Sequence, residues 1–298
     1  MNDILNTRES AAGSNNKADT QMNAVVLLSS AVSPWLRIIQ VAPQGWQFSD
    51  FEPGQYTTLG VYGSTPRYEL AEPETDPPDP QKLIRRPYSI ASSPANREFL
   101  EFYVNLVPSG IFTPRIFSLK IGDPIWLSDR VVGRFTFKNV PESSNIVLIA
   151  NGAGLAPFVS MAGSYLSVGT KRRVALIHGV RHSWDLGYRS VFMAMQRLRN
   201  NFAYVPIVSR PEQEPVPWKG ATGHVQDFWS SGLFESVCGF PADPTNTHVF
   251  LCGSPEMIES MTELTTQQGF RELDKTGVGQ VHIERFWPKR SGRATTAA

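Results

Sequence analysis

Cysteine is almost absent: only Cys238 and Cys252 occur in 298 residues. Two thiols are too few for a disulfide framework or a protein-held iron–sulfur cluster, so the pair reads as reduced thiols of a cytoplasmic protein. No stretch approaches the roughly 18 apolar residues of a membrane span. Neither sign of charge dominates, with 28 Lys+Arg against 27 Asp+Glu and a net charge of +1. No global field therefore recruits nucleic acid or an anionic membrane, and any anion site must be built locally. Residues 1–23 lack the apolar run of a secretory signal and carry Asp3, Glu9 and Asp19, which a transit peptide avoids. They read as a disordered tail. No internal repeat and no metal-ligand spacing is seen.

The composition is that of an ordinary globular chain, 41% hydrophobic and 18% charged, and the length favours two domains. From Ala24 to Val140 short apolar runs are cut by turn residues, as in AVVLLSSAV, WLRIIQV and FEPGQYTTLGV. Leu100, Phe102, Val104 and Leu106 alternate with Glu101, Tyr103, Asn105 and Val107, the period of a strand with one face in a core. With PIWL and GRFTF as further strands, residues 24–140 are expected to form a small antiparallel β-barrel. The stretch ELAEPETDPPDPQ before Lys82 reads as a solvated loop, because its prolines forbid a ladder and its charges disfavour burial. Beyond Pro141, strands at 146–150, 174–180, 204–210 and 247–253 alternate with helical stretches at 185–200, 225–233 and 256–268, and residues 141–287 are expected to form a Rossmann-like α/β domain with a parallel sheet. Lys171-Arg172-Arg173 reads as a solvated turn, His178 as a core histidine, and 288–298 as a C-terminal tail.

Two segments could carry chemistry. ANGAGLAPF (150–158) joins a strand to a helix, and Gly152 and Gly154 would let backbone approach a ligand beside a helix N-terminus. Pro157 replaces the third glycine of a dinucleotide fingerprint, so the segment alone reads equally as an ordinary strand-to-helix turn. In RRPYSIASSP (85–94), Arg86 and Tyr88 share one face of an extended chain. A guanidinium there can meet a pyrophosphate while the phenol ring covers a flat heterocycle, and Ser89 points the other way. The alternative is a barrel strand with a solvated Arg and a core Tyr.

The order barrel, RPYS, G-x-G-x-x-P, C-G and terminal HIERFW resembles the ferredoxin/flavodoxin–NADP reductase family, and its bacterial class most of all. The resemblance runs from about Phe51 to Trp287 and includes PSGIFTPRI, HGVRHSWDLGYRSVF, VSRPE and LCGSPEMI. It implies an FAD-dependent enzyme passing electrons between NADPH and a separate ferredoxin or flavodoxin by hydride transfer at flavin N5, and a monomer. FAD would be held by Arg86, Pro87, Tyr88 and Ser89, by Tyr103, Val104, Asn105 and Leu106, and by Gly110, Ile111, Phe112 and Thr113. Gly152, Ala153, Gly154, Pro157 and Cys252 would border the nicotinamide. Arg181, Ser209, Arg210 and His224 would meet the 2'-phosphate of NADP. Phe286, followed by Trp287, would cover the second flavin face, and Ser89, Cys252, Glu284 and Phe286 would form the catalytic set. The chain departs from the family pattern at Asn151 and Ala153, where Thr is common, and at His224, where Arg is frequent. Two other readings share the fold: the reductase component of an oxygenase, and a flavin-less nucleotide-binding module.

Overall fold

A computed structural model describes residues 21–165 and 172–286. The tail expected over 1–20, Lys171, Trp287 and the 288–298 tail lie outside the described residues. Asn23, read as part of the N-terminal tail, is instead fixed: its amide pairs with both the carbonyl and the N–H of Leu127, at 2.9 and 2.8 Å.

Strands β1 (Ala24–Ser33), β2 (Leu36–Pro43), β3 (Tyr56–Tyr62), β4 (Leu83–Ser89), β5 (Leu100–Asn105) and β6 (Pro124–Leu127) form an antiparallel sheet in the order β4-β3-β6-β1-β2-β5. The sheet curls until the Ala91 N–H, just past β4, donates to the Glu101 carbonyl of β5 at 2.7 Å. Val26, Ile39, Leu59, Phe102 and Ile125 fill its interior with no exposure, each such side chain contributing about 1.5–3 kcal/mol. The alternation along β5 is real, but its second face is covered too: Tyr103 is buried against the second half of the chain.

GRFTF is not a strand. Val132 makes one isolated bridge to Tyr56, and then Phe135 and Phe137 leave the barrel to pack edge-on against Phe250, at 5.3 and 4.9 Å between ring centroids. The acidic loop is not simply solvated either. Glu72, Thr75 and Asp76 are exposed, but Glu74 is drawn in by Arg115, a buried side chain whose Nη1 and Nη2 bind both of its oxygens at 2.7 and 2.8 Å.

Strands β7 (Asn145–Asn151), β8 (Val174–Val180), β9 (Phe202–Val208), β10 (Ala221–Thr222), β11 (Thr247–Cys252) and β12 (Val281–Glu284) form an all-parallel sheet ordered β10-β9-β8-β7-β11-β12. Every residue of β8 is buried, as a strand covered on both faces requires. Helices Ala156–Tyr165 and Arg189–Leu198 cover one face, and Val225–Ser230 and Pro255–Gln267 the other. The helix expected over 225–233 stops at Ser230, because Gly232 turns the chain at φ +75° before the short helix Phe234–Cys238. Ser254 caps the last long helix by accepting from the Met257 N–H at 3.3 Å. Arg172 is buried, not solvated, and donates to the carbonyls of Val140 and Pro141, at 3.3 and 2.7 Å, in the connection between the halves. Leu36, Ala91 and Tyr103 share one apolar cluster with Leu148, Phe158 and Phe250, so the halves are joined by packing and not only by chain. Among the described residues no helix is long and apolar enough to cross a membrane.

Candidate active site

Chain order reverses between β7 and β11, and the crevice beyond the carboxyl ends of these strands is where open α/β sheets take ligands. There β7 runs into a tight turn, Gly152–Leu155, with Gly152 at φ +52°. Gly154 lies directly under the end of β11, and a β-carbon on it would overlap the Cys252 carbonyl. Asn151 ties the two loops: its Oδ1 accepts from the Ser254 N–H at 2.7 Å and its Nδ2 donates to Ser254 Oγ at 3.2 Å. Asn151 thus has a structural task of its own, tying the turn after β7 to the loop after β11. Gly152 and Ala153 remain partly accessible at the mouth, while Gly154 and Pro157 are buried beneath it.

Three of the expected catalytic residues meet at this mouth. Cys252 ends β11 directly opposite Glu284, which ends β12. Ser89, at the end of barrel strand β4, donates from Oγ to Glu284 Oε2 at 2.8 Å, and Cys252 Sγ approaches the same oxygen at 3.8 Å. The contact joins residues 195 positions apart and crosses from barrel to parallel sheet. Burial pushes the Glu284 carboxyl up to about 7, against the hydrogen bonds from Ser89 and Cys252 that pull it down. Burial first, and then the neighbouring carboxylate, raise the Cys252 thiol well above its usual range, so it stays protonated as a donor. Phe286, two residues past Glu284, is 41% exposed at the same edge.

On the barrel side, Arg86 is exposed, and among the described residues its guanidinium bonds to the Arg85 carbonyl next to it, from Nη1 at 2.7 Å, which leaves further donors that could meet an anion. Tyr88 is half-buried, with one ring face stacked on Phe112 at 5.7 Å and 29°. Pro87 stands exposed between them. The turn after β5 is held rigid: the Val107 N–H donates to Thr113 Oγ1 at 2.9 Å, and Arg67 Nη1 donates to the Gly110 carbonyl at 3.0 Å. Arg115 Nη1 donates to the Ile111 carbonyl at 2.7 Å. Tyr103 does not join this group. Its ring is buried in the junction between the halves, with its hydroxyl on the Asp185 carbonyl at 3.2 Å, because the sheet pleat turns it away from its neighbours Phe102 and Val104. Val104 and Leu106 point into the barrel core, and Asn105 is exposed.

A third cluster stands at the far strand ends. The Arg210 N–H donates to the Arg181 carbonyl at 3.0 Å, and Ser209 N–H to the Val180 carbonyl at 3.0 Å, which sets the two arginines side by side and exposed. The Gly223 N–H bonds to the Val208 carbonyl at 3.0 Å and brings His224 to the same end, where its N–H donates to Asp227 Oδ2 at 2.7 Å. Two guanidiniums and an imidazole on adjacent strand ends suit a doubly charged anion.

The motifs did not reveal Glu74 at all, nor the structural tasks of Arg115 and Asn151, which lie within PSGIFTPRI and ANGAGLAPF. A lone Arg between Pro114 and Ile116-Phe117 was the available signal, since an arginine inside an apolar run needs a buried partner.

An antiparallel barrel packed on a parallel α/β sheet, with a polar cluster where they meet, defines a two-domain nucleotide-binding oxidoreductase. A family profile described as an oxidoreductase NAD-binding domain matches residues 148–263. The ferredoxin–NADP reductase of Pseudomonas aeruginosa is 30% identical over 217 residues, 70% of this chain and 81% of that one. The flavodoxin/ferredoxin–NADP reductase of Escherichia coli K12 is 29% identical over 209 residues, 70% of this chain and 76% of that one. The crystal structure of a ferredoxin NADP+ reductase from Neisseria gonorrhoeae, with bound FAD and NADP, superposes with a TM-score of 0.75 at 21% identity, over 89% of this chain and 98% of that one. The chain belongs to the ferredoxin/flavodoxin–NADP reductase family.

Proposed function

We propose that the protein is an FAD-dependent reductase that moves electrons between NADPH and a one-electron carrier, a ferredoxin or a flavodoxin. The observation that carries this reading is the Ser89–Glu284–Cys252 cluster, built by both halves of the chain at the crevice. The residues fit an FAD. Arg86 offers donors for a pyrophosphate, Tyr88 offers a ring face backed by Phe112, and the turn from Gly110 to Thr113 is held by Arg67 and Arg115. When bound, FAD supplies hydride acceptance at N5 and release of electrons one at a time. Arg86, Tyr88 and the turn would bind and orient it, Phe286 would shield it from solvent, and Gly152 to Gly154 would leave room for the nicotinamide. Two cysteines are too few for these 298 residues to ligate a cluster of their own, which supports a ferredoxin or flavodoxin as the carrier. The assay is reduction of candidate ferredoxins and flavodoxins by NADPH in stopped flow; an absence of NADPH oxidation with every carrier would sink the reading.

Ser89 and Glu284 hold a proton whose place depends on pH. Below about pH 7 the protonated Glu284 can itself donate to Ser89 Oγ, which frees the serine hydrogen for a bound electron acceptor; above it the carboxylate takes that hydrogen. Hydride transfer should therefore slow about tenfold from pH 6 to pH 8 in the wild type, and stay flat in Glu284→Gln, whose amide donates at every pH. Stability has the same sign. A carboxyl raised from 4.5 to about 7 stabilises the fold most below pH 4.5, and that contribution is lost as pH rises through about 7. A wild-type profile that Glu284→Gln reproduces would remove Glu284 from this role.

Arg181 and Arg210 bind the 2'-phosphate that distinguishes NADPH from NADH. A charge-assisted hydrogen bond contributes about 1.5–3 kcal/mol, so Arg181→Ala should lower the NADPH/NADH ratio of kcat/KM by about tenfold or more. A ratio unchanged in Arg181→Ala would place the phosphate elsewhere.

A further inference from the structure

Outside the site, one residue stands in a backbone conformation that its side chain disfavours. Tyr188, with φ 60° and ψ 9°, is the only non-glycine residue at positive φ among the described residues. Such a conformation persists in a bulky residue where the surroundings over-determine it. Here the surroundings belong to the other half of the chain. The Tyr188 hydroxyl donates to Glu101 Oε1 of β5 at 2.7 Å, and Gln40 Nε2 holds the second oxygen, Oε2, at 2.7 Å. The Tyr188 ring meets Tyr103 of the same strand edge-on, with centroids 5.5 Å apart. Tyr103 in turn donates to the Asp185 carbonyl, and a β-carbon on Gly187 would overlap the Tyr103 ring. Barrel strand β5 thus seats the whole turn from Asp185 to Tyr188.

That turn lies on the loop that begins at Arg181. Ser183 donates from both N–H and Oγ to Glu214 at 2.6 Å, and His182 Nε2 meets Gln213 Oε1 at 2.8 Å. The loops after β8 and β9 are therefore linked to each other, and through Tyr188 to the barrel. We propose that Glu101 and Tyr188 form a clasp that fixes the coenzyme-binding loops relative to the barrel and so sets the approach of the nicotinamide to the flavin. The second clause rests on the proposed function; the clasp itself rests on the contacts. Neither residue touches the reacting atoms, so both are positioning residues.

The test uses the full chain with its FAD. Tyr188→Phe and Glu101→Ala should retain FAD and bind NADPH within about twofold of wild type, while the rate constant for anaerobic flavin reduction falls by about tenfold, since a misplacement of about 1 Å can cost up to a hundredfold. Glu101→Gln, which keeps an oxygen for the Tyr188 hydroxyl, should recover the rate to within about twofold. Variants that melt earlier but reduce at the wild-type rate would show ordinary packing and overturn the proposal. Amide exchange without coenzyme separates this from failure of the functional reading. Tyr188→Phe should speed exchange over residues 183–190 and 100–105 together, and unchanged exchange in both segments overturns the clasp whatever the redox chemistry. A wild-type protein that NADPH does not reduce would sink the proposed function while exchange still judges the clasp.

Discussion

Glu74→Ala is expected to destabilise the barrel by about 3–5 kcal/mol, because it strands the buried guanidinium of Arg115 without its counter-charge. For a domain of this size that corresponds to a fall in Tm of roughly 10 °C. Arg115 would keep its bonds to the Gly63 and Ile111 carbonyls, and Arg67 would lose an ion pair of 2.8 Å. The effect reaches past stability, since Arg67 and Arg115 hold the carbonyls of Gly110 and Ile111 in the turn assigned to FAD. The pH dependence has a definite sign. The Arg115 hydrogen bonds hold the Glu74 carboxyl below its ordinary 4.5, with burial opposing, so its contribution is present above pH 4.5 and is lost as pH falls below it. The gap in Tm between wild type and Glu74→Ala should therefore be wide at pH 7 and close progressively as pH falls below 4.5. A shift of less than about 2 °C at pH 7, measured by calorimetry, would mean that water already satisfies Arg115.

Arg86→Ala is expected to purify largely without flavin. Among the described residues its guanidinium bonds only to the neighbouring Arg85 carbonyl, so the substitution should leave Tm of the cofactor-free protein unchanged and act on binding alone. Loss of a charge-assisted bond of about 1.5–3 kcal/mol weakens FAD by roughly 10- to 100-fold. Tyr88→Leu removes ring stacking of about 0.5–1.5 kcal/mol and also the support of Phe112, and should cost less affinity. Isothermal titration of FAD into the apo proteins gives both numbers. If Arg86→Ala keeps full FAD after dialysis and gel filtration, the pyrophosphate lies elsewhere.

The parts of the site legible in the sequence are those in which short motifs sit at strand ends. RPYS, the G-A-G turn, Cys252-Gly253 and the Glu284 end of β12 each lie within a few residues; the parallel sheet carries the last three to one crevice, and barrel strand β4 brings Ser89 to meet them there. The near alignment of Arg181 with Arg210 follows in the same way from the register of β8 and β9. What was not legible depends on partners far apart in the chain. Glu74 and Arg115 are separated by 41 positions, and Glu101 and Tyr188 by 87, with no periodicity to relate them. Composition misled in the acidic loop, where exposed Asp76 and drawn-in Glu74 have the same local context. GRFTF has the alternation of a strand, yet its two phenylalanines are claimed by the core of the other half. The burial of the Tyr103 ring was hidden for the complementary reason: a strand assigned one buried face has two.

The most direct test of the central claim is an anaerobic titration of the purified protein with NADPH, followed through the visible absorbance of bound flavin, with a ferredoxin or flavodoxin added at the end. The account predicts a yellow protein with stoichiometric FAD, bleached by NADPH more readily than by NADH, whose colour returns when the oxidised carrier is added. A protein that purifies colourless, takes up no FAD and leaves NADPH unoxidised in the presence of every carrier would contradict it.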